Sequence, residues 1–118
     1  MIDDWKATIK ELASDLRALR AGAPDVMKAF SGLAQAALAP RALDAKTKEL
    51  IALGISVSAR CDDCIAFHVE AAVKQGATRE EVLETLGMSI YMGAGPSAMY
   101  ASHALDAFTQ FTAPAPTA

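Results

Sequence analysis

Residues 49–68 read ELIALGISVSARCDDCIAFH, and the rest of the chain is organised around them. The first half, Leu50 to Val57, is almost continuously apolar and lacks the strict alternation of a half-buried strand. Asp44 is a good cap for a helix over about 45–60. Apolar on nearly every face, that helix is expected to be central and covered all round. The second half holds both cysteines of the chain, Cys61 and Cys64, as a C-x-x-C pair. His68 follows Cys64 by four residues, and Glu49 precedes Cys61 by twelve.

A second helix, about 62–75 with Gly76 as its stop, places Cys64 in a first turn. Unpaired N–H groups and the positive end of the dipole favour a thiolate there. Residues i and i+4 share a helix face, so His68 is expected within reach of the Cys64 sulfur, to accept its proton or stabilise its charge. Asp62 and Asp63 oppose a thiolate, but exposed carboxylates are screened by water and salt. Two cysteines three apart can also close a disulfide without large backbone movement. Zinc is the competing use of such a pair, with His68 as third ligand. A closed zinc site needs a fourth ligand, and no second C-x-x-C exists. A purely structural disulfide would close a loop too small to stabilise much.

Working outward, 118 residues suit one domain. Asp3 to about Arg20 spaces Trp5, Ile9, Leu12, Leu16 and Leu19 as an amphipathic helix, capped by Asp3 or Asp4. Pro24 suits the first position of a helix over 24–38, with Val26, Phe30, Leu33 and Ala37 as its stripe. Thr78 and Glu81 form a capping box for a helix over 79–92 with Val82, Leu86 and Ile90 inward. Gly93-Ala94-Gly95-Pro96 is a break, and Pro96 opens a sixth helix to about Phe111. Met92, Met99 and Tyr100 flank that break as core or pocket residues. His103, in the last helix, reads as an ordinary polar or interface residue. The expectation is an all-α single domain of six helices over 1–111, with residues 112–118 a disordered tail.

The net charge of −3 gives no basic footprint for nucleic acid. No apolar run approaches the roughly 18 residues of a membrane span, and Met1 leads into Asp3, Asp4 and Lys6 rather than a signal peptide. A cytoplasmic protein is expected, where a C-x-x-C serves catalysis or metal more often than structure. Hydrophobic residues make up 53%, more than so small a domain can hide, so a homo-oligomer is expected.

The pattern of Glu49, eleven residues, Cys61-x-x-Cys64, three residues and His68 resembles the signature of the AhpD-like alkylhydroperoxidases of the carboxymuconolactone decarboxylase superfamily. The resemblance continues through GATREEVLETLGMSIYMGAGPSAMYASHALDAF (residues 76–108). It implies an AhpD-like fold and a trimer or hexamer with the site near a subunit boundary. It implies catalytic roles for four residues: Cys64 as the thiol that becomes a sulfenic acid, Cys61 as its disulfide partner and proton donor, and Glu49 and His68 as a proton relay. The substrate would be a hydroperoxide, and the reductant a dithiol on a lipoyl-bearing or thioredoxin-like protein, with no cofactor. Decarboxylases of the superfamily lack this cysteine pair. The chain departs from the best-known AhpD enzymes in two ways: it is shorter, and Asp63 stands where they carry a further histidine. The alternative from another class is a redox-sensing or zinc-binding module that uses the same cysteines without turnover.

Overall fold

Helix starts follow the capping chemistry of the sequence. Asp4 accepts the Ala7 N–H at 3.0 Å and begins α1 (Trp5–Gly22). Pro24, at the first position where a missing N–H costs nothing, begins α2 (Pro24–Leu38). Asp44 accepts from Thr47 at 2.7 Å and begins α3 (Ala45–Ser58); hydrogen bonding to Thr47 holds its carboxyl below the usual range. Cys61 caps α4 (Asp62–Lys74). The capping box forms in full at α5 (Arg79–Thr112), with Glu81 N–H on Thr78 Oγ1 at 3.1 Å and Thr78 N–H on Glu81 Oε1 at 2.9 Å. This computed structural model describes residues 2–115. Within them the fold is all-α, with no strand.

The helix count is five, not six. The expected break at Gly93–Pro96 is a kink: Ala94 alone leaves helical geometry, at φ 54° and ψ −136°, and the helix resumes at once. Pro96 removes one helical N–H, but a bend at a single residue accommodates that loss without a loop. A Cβ at Gly93 would collide with the Ser97 side chain, so any larger residue there would force Ser97 to move. At the far end, α5 runs through Thr112, one residue into the expected tail; residues 116–118 lie outside those described.

The core lies between α3, α4 and α5, with one end of α1 against it. Leu53 and Val57 meet Ile65, Val69, Val82 and Leu86, all buried. Each such side chain contributes about 1.5–3 kcal/mol by leaving water. Ala101, Ala104 and Ala107 keep one face of α5 thin where α4 and α1 approach. Trp5 is fully buried, its indole Nε1 donating to Asp106 at 3.0 Å and its backbone N–H to Gln110 at 2.8 Å. At Gly54 the α3 backbone comes close enough for Ser89 Oγ to donate to its carbonyl at 3.0 Å.

Elsewhere the apolar stripes are left open. Of the α1 stripe only Trp5 is buried, and Leu19 is half exposed. α2 buries nothing: Val26 is 69% and Phe30 58% exposed. α3 is central, yet it is not covered all round, since Ile55 is 63% exposed. Ile90, expected inward, is also partly exposed. Ile51 and Ile55 of α3 and Met88 and Met92 of α5 line an open apolar groove of about 500 Å³. Met99 is exposed, whereas Tyr100 is partly buried against the core and also packs on His103.

Candidate active site

The end of α3 and the start of α4 share one residue. Arg60 adopts φ 57°, a left-handed position that glycine usually fills. Its N–H bonds to Val57 O at 3.1 Å, and the Cys61 N–H bonds to Ser56 O at 3.1 Å. Those two bonds close α3 as a Schellman motif. The same motif closes α4 with Gly76 at φ 82°, where the Gly76 N–H meets Val73 O and the Ala77 N–H meets Ala72 O. Cys61 is thus the last anchored residue of one helix and the cap of the next. The C-x-x-C turn is held from both sides.

Cys61 and Cys64 are joined in a disulfide, with Cα atoms 5.2 Å apart. The Cys64 N–H points at the Cys61 sulfur at 3.2 Å. The expectation drawn from sequence placed the dipole's effect on Cys64. Cys64 does lie in the first turn of α4, which starts at Asp62, and its own N–H is aimed at Cys61 in the cap position. Both cysteines are partly accessible, while Ile65 and Ala66 behind them are fully buried.

One turn further along α4, His68 Nδ1 lies 2.7 Å from Glu49 Oε2. Glu49 is only 8% exposed, buried at the edge of α3. It has no lysine partner, because those nearby are engaged elsewhere. Lys46 pairs with Glu81 at 2.8 Å, and Lys48 donates to the Ala37 and Ala39 carbonyls at the end of α2. With Glu49 as a carboxylate, Nδ1 of His68 donates to it. Nε2 is then the nitrogen left to take or return a proton. Among the described residues, the hydrogen bond of His68 is made to Glu49, not to Cys64 as the i, i+4 spacing suggested. The arrangement offers a dithiol–disulfide pair with a carboxylate-oriented imidazole one turn below it.

From sequence, His103 reads only as an ordinary polar or interface residue. The structure places its Nδ1 2.9 Å from Asp62 Oδ1, at the first residue inside the C-x-x-C. The two are 41 residues apart, and no local pattern marks the pair. Among the described residues, no group of three or more His, Cys, Asp and Glu side chains is placed to hold a metal ion, and no helix is long and apolar enough to cross a membrane.

Residues 24–107 match the model of the carboxymuconolactone decarboxylase family. An uncharacterized protein of Cupriavidus necator is 42% identical over 113 residues, spanning 96% of this chain and all of its own length. The crystal structure of a carboxymuconolactone decarboxylase family protein from Legionella pneumophila, in its apo form, superposes with a TM-score of 0.90. It is 50% identical and covers 92% of this chain and 97% of its own. A second structure, from Thermotoga maritima, has a TM-score of 0.69 at 33% identity over 80% of this chain and 86% of its own; it is described as a family protein with a suggested involvement in antioxidative response. With the family match over most of the chain and a near-complete superposition on a member, this protein belongs to the carboxymuconolactone decarboxylase family and is AhpD-like.

Proposed function

We propose that the protein is a thiol-dependent peroxidase of antioxidant defence, reducing hydroperoxides through the Cys61–Cys64 pair. One observation carries the reading: a C-x-x-C disulfide at a helix cap stands one turn from an imidazole oriented by a buried carboxylate. A solely structural disulfide would have no use for the Glu49–His68 pair.

In the reduced enzyme, His68 takes the Cys64 proton. The thiolate attacks the terminal oxygen of the hydroperoxide, the O–O bond breaks, and the alkoxide leaves as an alcohol with the proton from His68. Cys64 is then a sulfenic acid. Cys61, favoured as a thiolate by the Cys64 N–H, attacks that sulfur. The S–O bond breaks, the S–S bond forms, and the hydroxyl leaves as water with the Cys61 proton. Two thiols have supplied two electrons to the peroxide. An external dithiol, on a lipoyl-bearing or thioredoxin-like protein of the cytoplasm, returns them by thiol–disulfide exchange.

The working form is a homo-oligomer, a trimer or hexamer. The exposed faces of α2, α3 and α5 support this, since contiguous apolar surface on a soluble domain usually marks an interface.

The reading predicts steady hydroperoxide consumption with a dithiol reductant. Both Cys64→Ser and Cys61→Ser should abolish turnover. Full turnover in either variant would reject the two-cysteine cycle.

A further inference from the structure

Asp62 is an awkward residue for a reactive dithiol. It follows Cys61 directly, and a carboxylate there works against negative charge on sulfur. Asp63 beside it is exposed and screened, but Asp62 is half-buried, so screening acts on it less. The structure gives Asp62 a counterpart. His103 reaches across from α5 and bonds its Oδ1 through Nδ1. The imidazole is itself held in place, with the Tyr100 ring packed at a tilt 4.9 Å from its centre. Both partners are largely shielded, at 18% side-chain exposure for His103 and 28% for Asp62.

The surroundings leave this pair to itself. From α4, Asp62 is the acidic group within ion-pair range of His103 among the described residues. On α5, Asp106 lies nearly one turn on, but Trp5 Nε1 and Gln110 occupy it. From α1 the nearby anchor is Trp5, which does not titrate in this range. α3 approaches the other half of α5, through Gly54 on Ser89 and Lys46 on Glu81.

Building on the thiol chemistry proposed above, we propose that His103 is a positioning residue for the C-x-x-C. Through its bond to Asp62 it ties the first turn of α4 to α5 and commits the Asp62 carboxylate away from the sulfurs. His103 touches neither substrate nor sulfur in this role. It acts through Asp62, and its effect on the thiols vanishes when Asp62 is no longer charged.

The test is the pH dependence of iodoacetamide alkylation of each cysteine in the fully reduced protein, resolved by mass spectrometry. His103→Gln should move the pH of half-maximal reaction upward by about half a unit, the scale of freeing one partly shielded charge beside the thiols. Asp62→Asn should move it downward. In Asp62→Asn/His103→Gln the value should equal that of Asp62→Asn alone. His103→Asn, which keeps a side-chain N–H near the Nδ1 position, should recover much of the parent profile. Circular dichroism confirms that each variant stays helical, and the two conservative variants keep the test open should His103→Gln unfold. A profile for His103→Gln identical to the parent would overturn the inference, and so would a shift of equal size with and without Asp62. Alkylation needs no peroxide, so the expected shifts in a protein that consumes no hydroperoxide would sustain this inference while rejecting the peroxidase reading.

Discussion

The two sides of α3 differ sharply in how far they are covered. One side faces α4 and α5 and carries Glu49, Leu53, Ser56 and Val57, all buried. The other carries Ile51 and Ile55, open to an apolar groove shared with Met88 and Met92. The buried side is finished within one chain. Its packing is complete, and its one ionisable group, Glu49, has its partner in His68. The open side has the composition of a core and none of the covering. An apolar run therefore encodes the need to be buried, but not what does the burying.

The contrast breaks most visibly under truncation. Leu53→Ala should destabilise the protein by about 2–5 kcal/mol, the loss of transfer free energy plus the cavity left in a fully packed site. Ile55→Lys should leave the fold intact, within about 0.5 kcal/mol for a single chain, because the side chain already faces water. Its effect should fall on assembly, lowering the scattered mass toward that of one chain. Denaturant unfolding and light scattering check the pair. Equal destabilisation by both substitutions would erase the distinction between the two sides.

A sharper probe of the buried side is Glu49→Gln, which keeps the shape and removes the charge that orients His68. Peroxide turnover should fall by about 100-fold, within the range for impaired acid–base relay, while helix content holds. Unchanged turnover would mean that the Glu49–His68 pair serves packing alone.

The smallest expected effect concerns the kink that aims the second half of α5. Ala94 sits at φ 54° and ψ −136°, a region natural to glycine. Ala94→Gly should raise stability by about 1 kcal/mol, since relief of backbone strain exceeds the added freedom of the unfolded chain. Thermal unfolding measures it, and a loss of stability would show that Ala94 is not strained.

Much of the fold was legible because its signals are local. Asp44, Pro24 and the Thr78–Glu81 box each act within three residues, and each starts a helix where it was expected. The break near Pro96 was located, but that it is a kink at the single residue Ala94 was not, because sequence cannot distinguish one bent residue from several. The cysteines, Glu49 and His68 were legible as a spacing. The burial of Glu49 was not, because Lys46 and Lys48 stand within three residues of it in the chain. Only the fold shows them committed to Glu81 and to the end of α2. The Asp62–His103 bond was hidden for a related reason: it joins two helices 41 residues apart, and neither residue carries a local mark of the other.

The central claim is that Cys64 and Cys61 act in sequence on a peroxide, and a single turnover tests it most directly. Fully reduced protein, mixed with one equivalent of an organic hydroperoxide and no external dithiol, should yield one alcohol and one Cys61–Cys64 disulfide per chain. In Cys61→Ser the same mixture should stop at a sulfenic acid on Cys64, captured by dimedone and read by mass spectrometry. Peroxide loss no faster than with a free thiol, or a sulfenic acid found on neither cysteine, would contradict the account.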